Sequence, residues 1–172
     1  MKKIFLIPIA LLLSFCKCPK ATIEKAAVTS LESQCPENGK CSIQLYRNKS
    51  LNLKTDELGS NYYQMSDNPK TSIIQYEYNR TVEKGLQDGQ HREEILFEIN
   101  NADKVISLTD AKLQDTKMIF GRHCFCKGQA GYFKVEQGTL NLRSENEIIS
   151  IALDFQITKV PQLFNKVYAT IK

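Results

Sequence analysis

Residues 147–158 place the strongest constraint on the fold, because their apolar and polar side chains alternate strictly. One face of this segment carries Ile149, Ile151, Leu153, Phe155 and Ile157, and the other carries Ile148, Ser150, Ala152, Asp154 and Gln156. A period of two predicts a β-strand with one buried face. Extended helical periodicity is nearly absent from the chain, so we expect an all-β protein.

Turn signals extend this strand into a three-stranded meander over residues 130–158. Turns at 137–138 and 145–146 would connect its strands, and the second turn would pair Leu142 with Ile149. This register keeps the apolar side chains on one face, as a half-buried sheet requires.

The dipeptide Asp88-Gly89 predicts another hairpin, in a register that pairs Tyr78 with Ile99. Residues 108–113 are compatible with one short helical turn. Further strand candidates are 23–34, 41–46, 50–54, 61–66, 116–126 and 164–171. We therefore predict nine or ten mostly antiparallel strands in a sandwich or a barrel.

The first residues have the pattern of an exported protein. Residues 1–15 read MKKIFLIPIALLLSF, in which two lysines precede twelve uncharged residues. This order is typical of a signal peptide, and the apolar run is shorter than the roughly 20 residues of a membrane-spanning helix. We predict a signal peptide at 1–15, a tether at 16–22 and a single β domain at 23–172.

The segment Leu13-Ser14-Phe15-Cys16 resembles the lipobox of bacterial lipoproteins, in the looser form found in the Bacteroidota. The resemblance implies that Cys16 is acylated and becomes the first residue of the mature protein. The next residue is Lys17 and not the Asp that retains lipoproteins in the inner membrane. This implies an outer-membrane lipoprotein that faces the periplasm. The body of the chain resembles no functionally characterised family.

Six cysteines occur, at positions 16, 18, 35, 41, 124 and 126, and export makes disulfides the expected state. Cys35 and Cys41 flank a short segment in which Gly39 can take a left-handed conformation, so we predict a hairpin closed by a Cys35–Cys41 disulfide.

The other cysteines form two Cys-x-Cys pairs. If Cys16 carries lipid, we expect Cys18 to form a disulfide with Cys124 or Cys126, and the sequence does not decide between them. A direct Cys124–Cys126 bridge would be strained within an extended strand.

Two groups of residues are candidates for chemistry. His123 with Cys124 and Cys126 could bind a metal or act in thiol redox chemistry, although the spacing differs from that of usual zinc sites and His123 would point to the opposite face of a strand. His91 stands near Glu93 and Glu94, a possible acid and base pair, but we expect these residues to begin a solvated strand.

The sequence lacks the motifs of common enzyme classes, and we expect neither an enzyme nor a cofactor. With 23 Lys and Arg against 19 Asp and Glu, a nucleic-acid partner is not indicated. The leading hypothesis is a lipid-anchored, disulfide-braced β domain of the cell envelope that binds an envelope protein or a small ligand, or has a structural role. The alternatives are the thiol or metal protein and a lipocalin-like carrier of a small apolar ligand, which would need a closed barrel.

Overall fold

The computed structural model describes residues 28–33, 35–83, 85–86 and 88–172. The predicted signal peptide and tether, with Cys16 and Cys18, lie outside the described residues.

Twelve strands and one 3₁₀ helix, Asp110–Thr116, are described. The strands are β1 (Val28–Leu31), β2 (Gly39–Tyr46), β3 (Lys49–Thr55), β4 (Asn61–Asp67), β5 (Thr71–Arg80), β6 (His91–Asn100), β7 (Val105–Thr109), β8 (Ile119–Cys124), β9 (Gly131–Lys134), β10 (Gly138–Glu145), β11 (Ile148–Phe155) and β12 (Lys166–Ile171). The all-β prediction is confirmed. Strand β7 was not predicted, because its five residues are only exposed or half-buried and carry a weak apolar signal.

The strands form two antiparallel sheets. The five-stranded sheet has the order β1-β12-β11-β10-β7, and the seven-stranded sheet has the order β2-β5-β6-β8-β9-β4-β3. The architecture is a β-sandwich and not a closed barrel. In the part of the chain that the structure describes, no helix has the length and hydropathy that crossing a bilayer requires.

The main core lies between the two sheets. On β11 and just beyond it, the apolar face predicted from the alternation is buried throughout. Phe120 of β8 meets Phe155 and Phe164 there, with ring centroids 5.9 and 6.0 Å away. These aromatic contacts join the seven-stranded sheet to the end of β11 and to the connection before β12.

The seven-stranded sheet also has a covered outer face. A second apolar cluster comprises Leu51, Ile73, Leu96 and Ile119, which come from β3, β5, β6 and β8. The β3–β4 hairpin curls back over this face, and β4 pairs with β9 through Asn61 and Tyr132. Strands β5 and β6 are consequently buried on both sides.

The carboxylate of Glu98 on β6 holds the β3–β4 hairpin over this face. It accepts a hydrogen bond from the backbone N–H of Leu51 at 2.6 Å and another from Ser50 Oγ at 2.8 Å. Lys117 Nζ lies 2.8 Å from the same carboxylate. Burial alone would raise the pKa of Glu98, but these donors together lower it below its ordinary value.

The predicted meander is half right. Strands β10 and β11 form a hairpin, but its turn is Asn146-Glu147 and Leu142 pairs with Ile151. This two-residue shift preserves the buried face. The predicted first strand, β9, pairs instead with β8 in the other sheet.

Gly138 permits the close contact between β10 and β11 after the chain leaves β9. Its φ is +137°, and a Cβ at this position would lie 2.1 Å from the backbone oxygen of Asp154. Gly138 therefore begins β10, in close contact with β11. The sequence instead predicts that Gly138 lies in a turn that connects β10 to β9. The second neighbour of β10 is β7.

The hairpin predicted at Asp88-Gly89 exists as the β5–β6 pair, but its register differs. Tyr78 pairs with Glu93 and not with Ile99. Strand β5 ends at Arg80 and β6 begins at His91, so more than two residues separate the strands. The observed register sets Tyr76 opposite Ile95, and both side chains are fully buried.

Cys35 and Cys41 form the predicted disulfide, with their Cα atoms 5.7 Å apart. The local backbone differs from the prediction, because Asn38, with a φ of 58°, takes the left-handed conformation expected of Gly39. Gly39 instead begins β2.

The packing predicts that Phe120→Ala lowers the free energy of unfolding by about 3–5 kcal/mol, because a fully buried ring is removed from the core. Phe125→Ala is the matched control, since this ring is 84% exposed, and should change stability by less than about 0.5 kcal/mol. Urea denaturation of both variants measures the difference. Equal effects would contradict the core described here.

Candidate functional site

The pairing of β6 with β8 concentrates charged and sulfur-containing side chains at one end of the seven-stranded sheet. The register pairs His91 with Cys124, Arg92 with His123 and Glu93 with Arg122. Paired residues of antiparallel strands share a face. The site therefore has an inner cluster, which faces the main core, and an outer cluster on the opposite face.

The inner cluster comprises His91, Glu93, Arg122, Cys124 at the end of β8 and Cys126 just beyond it. Glu93 is fully buried. One of its carboxylate oxygens lies 2.9 Å from His91 Nε2, and the other accepts a hydrogen bond from the backbone N–H of Leu163 at 2.7 Å. Glu93 thus links β6 to the connection between β11 and β12.

Arg122 completes this link from β8. Its Nη1 donates to the backbone oxygen of Pro161 at 2.6 Å, and its Nε lies 3.9 Å from Glu93. The Nε atom is buried and has no hydrogen-bond partner among the described residues. The remaining guanidinium nitrogen, Nη2, lies 4.0 Å from the sulfur of Cys126.

Cys124 and Cys126 are bonded to each other. The expectation that one of them pairs with Cys18 was therefore wrong. Strand β8 ends at Cys124 and the chain bends at Phe125, which brings the two Cα atoms to 5.2 Å. Residues two apart in an extended strand are about 6.6 Å apart, so the bend makes the direct bridge possible.

The histidine beside these sulfurs is His91, not His123. The ligand atoms of His91, Cys124 and Cys126 all lie within 4.8 Å of one another. His123 points to the opposite face, as the alternation along β8 predicts. Sequence reasoning missed His91 because only the β6–β8 register brings it next to Cys124.

The outer cluster centres on Glu94, which is also fully buried. Its Oε1 lies 2.9 Å from His123 Nε2 and accepts a hydrogen bond from Tyr132 Oη at 2.8 Å. Gln75 also donates to this carboxylate, and Arg92 Nη2 lies 3.5 Å away.

Gly121 makes room for these side chains. A Cβ at this position would lie 2.6 Å from the Tyr132 ring, 2.9 Å from Glu94 Cγ and 3.0 Å from His123 Nε2. The packing of the outer cluster therefore requires a glycine at position 121, opposite Glu94.

The ionisation of this cluster follows from its contacts. Burial alone would raise the pKa of Glu94, but hydrogen bonds from His123, Tyr132 and Gln75 and the positive charge of Arg92 lower it below its ordinary value. Burial and the nearby Glu94 charge raise the pKa of Tyr132, and they raise the pKa of Tyr63 to about 12. At neutral pH Glu94 is ionised and both phenols keep their protons.

The expectation of a solvated strand start at His91, Glu93 and Glu94 was wrong, since all three are buried. The sequence shows a strand that begins with charged residues. It does not show that the β3–β4 hairpin covers one face and the β11–β12 connection covers the other.

A cleft of about 620 Å³ opens between the two clusters. The charged or ionisable side chains in its lining are Arg80, Arg92, His91 and His123, and no acidic residue contributes to the described lining. Glu93 and Glu94 lie beneath these groups and are closed to solvent. The cleft therefore presents hydrogen-bond donors beside a disulfide.

Comparison with known proteins finds no matching family model, no similar curated protein and no similar solved structure.

The lowered pKa of Glu94 predicts a pH-dependent contribution to stability. The ionised carboxylate stabilises the fold above its ordinary pKa of 4.5, and this contribution is lost as the pH falls through the lower folded value. Glu94→Gln should cost about 1–3 kcal/mol at neutral pH, and its difference from the wild type should shrink towards pH ~3.

Urea denaturation at several pH values measures this difference. Glu57→Gln, at an exposed loop position, is the matched control and should stay within about 0.5 kcal/mol of the wild type. If Glu94→Gln lowers the free energy of unfolding by the same amount at every pH, the charge of Glu94 does not stabilise the fold.

Proposed function

We propose that this chain is a lipid-anchored β-sandwich protein of the bacterial cell envelope that binds a small anionic ligand in the cleft of the seven-stranded sheet. In this proposal Cys16 is acylated, and the protein faces the periplasm from the outer membrane. The two disulfides, Cys35–Cys41 and Cys124–Cys126, support export, because disulfides persist in oxidising compartments.

The main support for a binding role is the burial of charge beside the cleft. Glu93 and Glu94 are fully buried on opposite faces of one strand, and Arg122 is 8% exposed. Burying ionised groups costs free energy that apolar side chains would avoid. The pKa of Glu94 is also lowered, and buried ionisable groups with a shifted pKa beside a cleft are characteristic of functional sites.

The lining of the cleft favours a small anion. Two arginines and two histidines contribute to it, and the carboxylates that orient the two histidines are buried below. Arg92 is also paired with the partly exposed Glu77, at 3.0 Å. Its volume lies within the range of small-molecule sites, about 300–1,000 Å³. A lipocalin-like carrier of apolar ligands is less consistent with this structure, because the sheets form a sandwich and the cleft is polar.

The binding proposal predicts that small carboxylates or phosphates raise the melting temperature of the protein. Arg80→Glu should abolish this stabilisation, because it reverses the charge of an exposed arginine at the cleft. Arg143→Glu, at an exposed position on the other sheet, is the matched control and should retain it. Thermal denaturation with a panel of anions measures the effect. No shift with any anion, or equal loss in both variants, would refute the proposal.

The anchor proposal predicts that the natively expressed, membrane-extracted protein carries acyl chains on Cys16. Cys16→Ala should remove the added mass and release the protein from the membrane fraction, whereas Cys18→Ala should retain both. Intact mass spectrometry and fractionation provide the measurement. A wild-type mass without lipid would refute the anchor and would leave the binding proposal standing.

A further inference from the structure

We propose that Cys124, Cys126 and His91 form a redox-gated site for a thiophilic divalent cation such as Zn²⁺. The disulfide closes the site, and its reduction opens it. The site shares His91 and Cys124 with the cleft, but its test detects cation binding and requires neither the lipid anchor nor anion binding.

The three ligand atoms are already close together. All lie within 4.8 Å of one another with the disulfide intact. Thiolate sulfur and neutral imidazole nitrogen are preferred ligands of Zn²⁺. Both cysteines are half-buried and Cys124 contributes to the wall of the cleft, so a cation has a route to them and space for a further ligand.

Glu93 prepares His91 for this role. The Nε2 atom of His91 lies 2.9 Å from the buried Glu93 carboxylate, and donation from Nε2 to this carboxylate leaves the lone pair of Nδ1 for the cation. A metal-binding histidine characteristically donates its other N–H to a carboxylate or carbonyl. The His91–Glu93 pair therefore has the tautomer that a metal ligand needs.

Arg122 favours the reduced state. Its Nη2 lies 4.0 Å from the sulfur of Cys126, and its buried Nε lacks a hydrogen-bond partner among the residues described. A nearby guanidinium stabilises a thiolate. The charges also balance, because two thiolates neutralise the divalent cation and Arg122 neutralises Glu93.

The gating reaction is a thiol–disulfide exchange with an external dithiol. The dithiol transfers two electrons and two protons, the Cys124–Cys126 bond breaks, and two thiols form while the donor becomes a disulfide. Binding of the cation then releases the two thiol protons. In the oxidised protein no thiolate exists at this position and the site is absent.

The test uses Cd²⁺ and Zn²⁺ on the mature chain, prepared oxidised or reduced with a phosphine that is then removed without oxygen. Because the phosphine also reduces the Cys35–Cys41 disulfide, the measurement is made on the Cys35→Ser/Cys41→Ser variant. Its reduced form should bind one cation, detected as a thiolate-to-Cd²⁺ charge-transfer band and by competition with a chromophoric Zn²⁺ chelator. Oxidised protein should show neither signal. Equal uptake in both states, or no uptake after reduction, would overturn the proposal.

Matched variants identify the ligands. His91→Gln keeps a donor for Glu93 and should weaken binding by about tenfold or more, whereas His123→Gln should bind like the wild type. In the Cys35→Ser/Cys41→Ser background, which should retain the charge-transfer band, replacing both Cys124 and Cys126 by Ser should abolish it. Wild-type affinity in His91→Gln would refute the role of His91.

A second measurement does not depend on the folding of a variant. The chain has only two histidines, so long-range ¹H–¹⁵N spectra of the reduced wild type can resolve both rings. Zn²⁺ should shift the Nδ1 resonance of His91 and leave His123 unchanged. Shifts in His123 alone, or in neither ring, would overturn the assignment.

Discussion

Strand β6 is buried on both faces, so each of its carboxylates needs nearby hydrogen-bond donors, most of which lie on other elements. An ionised group removed from water is tolerated only when it is paired and hydrogen-bonded. Glu93 finds its donors in His91 and the β11–β12 connection, Glu94 in β5, β8 and β9, and Glu98 in the β3–β4 hairpin. These three residues therefore bind the elements that cover the centre of the seven-stranded sheet.

The same arrangement produces the candidate site. Because Glu93 and Glu94 alternate along β6, their partners lie on opposite faces but at the same end of the sheet. The Glu93 side holds His91, Arg122 and the Cys124–Cys126 disulfide, and the Glu94 side holds His123. The cleft between them presents arginine and histidine side chains at its surface and has carboxylates beneath, which supports anion binding and, after reduction of the disulfide, capture of a thiophilic cation.

The sequence predicts strand type well and strand partners less well. Alternation correctly identifies the buried face of β11 and the opposite orientation of His123 and Cys124. It misplaces β9, because an apolar strand beside a turn satisfies the pattern in either sheet. The registers of the two predicted hairpins are shifted by even numbers of residues, because such shifts preserve the buried face and leave the pattern unchanged.

Local sequence by itself determined the β architecture, the inward faces and the Cys35–Cys41 pair, since alternation and short spacing act over a few residues. Only the tertiary structure decided that His91 meets Cys124 and that Glu93 and Glu94 are buried. The pairing of β6 with β8 joins segments about 30 residues apart in sequence, and the covering elements come from still farther along the chain. A local pattern of charged residues at a strand start carries no information about what will later be packed over it.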